Sequence, residues 1–132
     1  MDRREGVIME IVVDCQSLDE ARNKAVKKLE EIIGSSLGPY VKVVVGKNMA
    51  GNSPLAGTEV GVEYRSSKAW GRIRLDFDES KGPHYNVESR SEAWAFTFPS
   101  SPSATSWAFL SEEEKAAVQK WMHGIGQRRG IR

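Results

Sequence analysis

One short stretch, residues 70–88, gathers the side chains with the most chemistry to offer. Trp70, Arg72, Arg74 and Asp76 stand at alternate positions, His84, Asn86 and Glu88 do the same, and Lys81 lies between the two runs. Such alternation is the mark of a strand with one polar and one buried face. The intervening positions are Gly71, Ile73, Leu75 and Phe77 in the first run, and Tyr85 and Val87 in the second. Residues 78–83 include Gly82 and Pro83, so an antiparallel hairpin is expected. If both strands bury their apolar faces in one core, their polar faces coincide, with cross-strand neighbours about 5 Å apart.

That inventory suits cleavage of an RNA phosphodiester without a metal. The 2′-OH must lose a proton, the leaving 5′-oxygen must gain one, and cations must offset the charge growing on the phosphoryl oxygens. His84 is the candidate base or acid, since imidazole titrates near neutrality. Glu88 or Asp76 would be its partner. Arg72, Arg74 and Lys81 would contact phosphate, and Asn86 would orient by hydrogen bonding. Trp70 could stack a base; Tyr85 could too, but its position points it at the core. No ligand spacing singles out a metal site, and no cofactor is expected. The same residue types also make an ordinary solvated sheet face. In that case Arg74–Glu88 or Arg72–Asp76 would be plain surface ion pairs, worth under ~1 kcal/mol.

Composition limits the alternatives. The chain has 132 residues, with 19 Lys and Arg against 18 Asp and Glu, for a net charge of +1. That length suits one domain with a hydrophobic core of its own. Near-neutrality excludes a uniformly basic nucleic-acid binder but leaves room for a local cationic site. No apolar run is long enough to cross a membrane as a helix. Cys15 is the single cysteine, so an internal disulfide is impossible, and its expected role is a small buried hydrophobe near a strand end. All four Trp and both His fall in the second half of the chain. His123 is expected at the C-terminus of the last helix, where its charge would favour the dipole.

The rest of the chain supplies the frame. A strand is expected over Val7–Val13, then a helix over Leu18–Ile33 opened by a Ser17/Glu20 capping box and ended at Gly34. Strands follow at Tyr40–Val45 and Thr58–Arg65, separated by a Gly- and Asn-rich loop at 46–57, and a last strand runs over Trp94–Phe98. A Ser/Pro linker at 99–106 leads to a helix over 111–122, opened by a second box at Ser111/Glu114, and a basic tail over 124–132. The expectation is a single α+β domain over 1–132 with its core at about 7–98. It would hold a mostly antiparallel sheet of about five to six strands, an N-terminal helix on one face and a C-terminal helix.

Arg74-Leu75-Asp76-Phe77-Asp78, followed by Lys81-Gly82-Pro83-His84-Tyr85-Asn86-Val87-Glu88, resembles a signature near the C-termini of bacterial polymorphic toxins of the Rhs and contact-dependent inhibition type. A helix containing Asp-Glu-Ala-Arg, as at 19–22, often precedes that signature. The resemblance implies a small metal-independent RNase, similar in architecture to the barnase/EndoU/colicin/RelE-like group. It nominates Arg74, Asp76, Lys81, His84, Asn86 and Glu88. It also implies an RNA substrate and a cognate immunity protein as partner, and the lack of a long apolar run argues for no membrane association. The expected location is the cytoplasm, or a target cell reached as part of a larger secreted effector. The rivals are a non-catalytic protein-binding module on the same scaffold, and an enzyme acting on a small phosphorylated ligand.

Overall fold

A computed structural model describes residues 8–34, 41–45, 59–78, 80–99 and 112–128. Six strands form one sheet: β1 (Glu10–Asp14), β2 (Val41–Val45), β3 (Glu59–Arg65), β4 (Trp70–Asp78), β5 (Gly82–Ser89) and β6 (Ala93–Thr97). Helix α1 (Leu18–Ile33) lies between β1 and β2, and α2 (Glu112–Arg128) follows β6. The strand order is β1-β6-β5-β4-β3-β2. Strands β2 to β6 form an antiparallel meander, and β1 pairs with β6 in parallel. The α+β class expected from the sequence is the architecture observed.

Helix α1 carries the chain from one edge of the sheet to the other, and the meander then returns it to β1. The helix starts where its capping box says it should. Ser17 Oγ accepts from the Glu20 amide at 3.1 Å, and Glu20 Oε1 reaches back to the Gln16 amide at 2.8 Å. That backbone N–H, followed by Lys24, holds the Glu20 carboxyl below its ordinary value. Gly34, at φ 79°, ends the helix, and its N–H donates to the Glu30 carbonyl.

The buried stripe of α1 is Leu18, Ala21, Ala25 and Leu29, and it packs on β4, β5 and β6. The small side chains of Ala21 and Ala25 let the helix axis approach the sheet closely. The sheet's side of the same core is Val60, Val62, Ile73, Leu75, Tyr85, Val87 and Phe96, all from the apolar positions of the alternating runs. Helix α2 adds Val118 and Met122 to the same core, and the Trp121 ring meets Tyr85 edge-on at 5.9 Å. Both helices therefore cover one face of the sheet, and no helix of the described residues lies on the hairpin's polar face. Lys28 lies 4.1 Å from the Trp94 ring and pairs with Glu31, closing the α1 side of the core. Cys15 is buried just beyond β1, and burial pushes its thiol up.

Several boundaries differ from expectation. Strand β1 starts at Glu10 and is an edge strand whose Ile11 and Val12 remain 48% and 50% exposed. Helix α2 runs to Arg128, so His123 lies inside the helix rather than at its end. The parallel β1–β6 pairing was not deducible from adjacent hairpins. Residues 46–57, most of the linker 99–106, Ser111 and the last residues of the tail lie outside the described residues.

Two glycines set how closely the elements pack. A Cβ on Gly61 would fall 1.9 Å from the Ile73 carbonyl oxygen, which is backbone of the neighbouring strand. A Cβ on Gly71 would fall 2.3 Å from Leu29 Cδ1, the tip of a side chain. Gly61→Ala is therefore expected to cost more than about 3 kcal/mol, and Gly71→Ala about 1–3 kcal/mol. Urea denaturation of the two variants checks this ordering; equal losses would show that the β3–β4 backbone contact yields as easily as a side chain.

Candidate functional site

The β4–β5 ladder runs from Gly71↔Ser89 to Asp78↔Gly82, placing Arg72 opposite Glu88, Arg74 opposite Asn86 and Asp76 opposite His84. These six side chains occupy one face, as the alternation required. Adding β1, β6 and β3 extends the three pairs into transverse rows roughly 7 Å apart, two residues of strand rise. The first row reads Asp14, Thr97, His84, Asp76; the second Val12, Ala95, Asn86, Arg74, Gly61; the third Glu10, Ala93, Glu88, Arg72, Glu63, Lys42.

The rows decide which of the expected partnerships exist. Arg72 Nε donates to Glu88 Oε1 at 3.0 Å, and its Nη2 binds the same oxygen. Arg74 Nη2 donates to Asp76 Oδ2 at 3.1 Å. The pairs are thus Arg72–Glu88 and Arg74–Asp76, and neither combination suggested by the sequence forms. The reason is register: Arg72 faces Glu88 directly, whereas Arg74 faces Asn86 and turns along its own strand to Asp76. Lys81 lies at the β4–β5 turn and reaches Glu10 at 3.3 Å. Lys42 and Arg65 share Glu63, at 3.5 and 3.1 Å. Each cation of this face therefore has a carboxylate beside it.

Trp70 lies at the margin of the third row. Its indole N–H donates to Glu63 Oε2, and the Arg72 and Arg65 guanidinium carbons lie 5.9 and 6.0 Å from its ring centre. The indole N–H, then the Arg65 hydrogen bond and Lys42, hold the Glu63 carboxyl below the usual range against the opposing effect of burial.

His84 is only 2% exposed, although it lies on the face without helices. Its Nδ1 is 2.7 Å from the Gly82 carbonyl oxygen. A carbonyl can only accept, so Nδ1 carries the proton of the neutral ring and Nε2 keeps its lone pair. Gly82 has φ 74°, a left-handed conformation that disfavours a side chain. The Lys-Gly-Pro-His sequence thus gains a physical meaning: a left-handed glycine opens β5 and its carbonyl fixes the imidazole two residues on.

Asp76 stands across from His84, but its carboxylate accepts from Arg74, from the Phe77 amide at 2.8 Å and from Asn86 Nδ2 at 3.5 Å. Glu88 is four residues from His84 along β5, roughly 13 Å away, so the structure does not bring these two expected partners together. Asn86 Oδ1 is buried and has no hydrogen-bond partner among the described residues. The sequence missed Asp14 and Thr97, which share His84's row; Thr97 Oγ1 donates to Asp14 Oδ1 at 2.6 Å. Only the parallel β1–β6 register could have revealed Asp14. Tyr85, weighed as a stacking residue, is in the core, where burial drives its phenol far above the ordinary value and its OH has no hydrogen-bond partner.

Among the described residues, no group of three His, Cys, Asp or Glu side chains gathers as metal ligands. No helix of the described residues is long and apolar enough to cross a membrane. Compared with known proteins, the chain matches no family model and no curated protein.

Two measurements check this geometry. Nitrogen-15 spectra of neutral His84 are expected to show the proton on Nδ1, and Gly82→Ala to weaken that preference while costing about 1–2 kcal/mol of stability; an Nε2–H tautomer would remove the Gly82 contact. The depressed Glu63 carboxyl contributes stability above its ordinary pKa of about 4.3, and loses it as pH falls from there through the folded-state value. The Trp70 indole resonance should shift over that acid window in the wild type and not in Glu63→Gln.

Proposed function

We propose that this face is the active site of a metal-independent endoribonuclease of the polymorphic-toxin kind. The observation that carries the proposal is the hairpin register, which aligns His84, Asn86 and Arg74, Arg72 on one helix-free face. The resemblance of residues 74–78 and 81–88 to the toxin signature supports it. His84 Nε2 takes the 2′-OH proton as the 2′-oxygen bonds to phosphorus, and the imidazolium returns a proton to the departing 5′-oxygen. The products are a 2′,3′-cyclic phosphate and a 5′-hydroxyl. Asp76 across the ladder favours the transient imidazolium, and Asn86 orients Asp76 through Nδ2. Glu88 serves Arg72 as a positioning residue rather than serving His84.

The cations are paired but not saturated. A guanidinium has five N–H donors, and Arg72 uses its Nε and Nη2 on Glu88. The remaining donors of Arg74, together with Lys81, meet the phosphate at His84, and those of Arg72 contact the RNA further along the face. Since carboxylates already neutralise this face, few counterions are released when RNA binds, and the salt dependence should be shallow.

A second reading has an observation of its own: Ile8, Met9, Ile11 and Val12 are exposed at or beside edge strand β1, as on a module built to bind another protein. In the nuclease reading the partner is a cognate immunity protein, acidic where it covers Arg72, Arg74 and Lys81.

The test is cleavage of RNA by chelator-treated protein. Wild type is expected to cut, and His84→Ala to lose at least ~100-fold in rate, the usual scale of acid–base catalysis, while keeping its circular dichroism and urea midpoint. Cytoplasmic expression of wild type, but not of His84→Ala, should arrest growth. Equal cleavage by both proteins removes His84 from the chemistry; no cleavage and no toxicity favour the binding module.

A further inference from the structure

A cavity of about 350 Å³ opens at the end of the polar face furthest from His84. Its walls include Ile8, Trp70, Arg72, Glu88, Glu92 and Ala93. The volume is at the lower end of small-molecule pockets and accommodates a single purine ring system. Ile8 and Ala93 supply apolar wall, and Trp70 supplies an aromatic ring.

The polar groups narrow the ligand class. Glu92 Oε1 accepts from the Trp94 indole N–H at 3.0 Å, which holds the carboxylate in place, and its other oxygen accepts nothing from the described residues. Arg72 is held at the pocket by Glu88 and retains unused N–H donors. A fixed carboxylate is best met by two adjacent N–H donors. Among the common bases only guanine has them, at N1 and the 2-amino group. Guanine also offers adjacent acceptors, O6 and N7, which suit a guanidinium. Uracil would instead turn carbonyl oxygens toward the carboxylate.

We propose that this cavity is a guanine-binding subsite, with the base against Trp70, its N1–H and 2-amino group on Glu92, and Arg72 at the opposite edge. It rests on the nuclease reading only in taking the guanine to belong to RNA. The cavity and His84 are then ends of one track: base recognition in the third row, the Arg74–Asn86 row between, and proton transfer in the first.

The test uses ligands without a scissile bond, so that binding and cleavage are read separately. Chelator-treated protein is titrated with the 5′-monophosphates of guanosine, adenosine, cytidine and uridine, and with ribose 5-phosphate. The readout is the Trp70 indole resonance, assigned with Trp70→Phe. Guanosine monophosphate is expected to bind at least tenfold more tightly than uridine monophosphate or ribose 5-phosphate, and Glu92→Gln to erase that preference. Equal or undetectable binding of all five, or a preference that survives Glu92→Gln, overturns the subsite. Selective guanosine binding by a protein that cuts no RNA upholds the subsite and overturns the nuclease; RNA cleavage with indiscriminate binding does the reverse.

Discussion

The register between β4 and β5 is the constraint on which the rest depends. Eight residue pairs, Gly71↔Ser89 through Asp78↔Gly82, lock two alternating strands together. A slip of β4 by one residue against β5 would turn Ile73 and Leu75 away from the helices and bring Arg72 and Arg74 beneath them. The cost of burying those charges and exposing that apolar surface is what holds the register. Burial on one face therefore dictates composition on the other. The polar rows exist because α1 and α2 need the opposite side.

Those rows are electrically quiet. Lys42, Arg65, Arg72, Arg74 and Lys81 each lie beside Glu63, Glu88, Asp76 or Glu10. The near balance of charge in the whole chain is thus echoed on this one face, where Lys42 and Arg65 share Glu63 and the other three cations have a carboxylate each. Half-exposed ion pairs of this kind add little stability, under ~1 kcal/mol each. Their effect is on position, because a guanidinium with one side on a carboxylate presents its remaining donors in a fixed direction. Opposite charges side by side cancel at a distance, so such a face does little to attract a charged ligand from afar.

The sequence was most informative where a pattern is local. The Ser17/Glu20 box, Gly34 and the Leu18-to-Leu29 stripe define α1 by rules that reach no further than four residues. Strict alternation in 70–77 and 84–88 was enough to place six polar side chains together, because a short turn fixes antiparallel pairing. Long-range facts were not legible. Asp14 beside Thr97 depends on β1 crossing the whole sheet to pair with β6 in parallel. The ion-pair partners depend on which residues face each other directly, so Arg72 takes Glu88 and Arg74 is left to Asp76. Burial of His84 was hidden for the same reason: polar alternation marks a side chain's face, while its exposure depends on neighbours from other strands. The motif residues Gly82 and His84 were visible, but not the bond between them, which needs the positive φ at Gly82.

Exposure changes steadily along β5, and the change has a chemical consequence. The Glu88 side chain is 40% exposed, Asn86 is intermediate, and His84 is 2% exposed. The face is therefore open at Trp70 and Arg72 and closed over the imidazole. In the proposed reaction the Gly82 carbonyl holds Nδ1 and leaves Nε2 as the nitrogen that moves the proton. The charge that would appear on the ring during that transfer is met by Asp76 and the Gly82 carbonyl. Both are fixed by the backbone, Asp76 through the Phe77 amide and the carbonyl through the opening of β5. The groups that would compensate the imidazolium need no rearrangement when it forms, and that preorganisation follows from the same eight-pair ladder that buries the core.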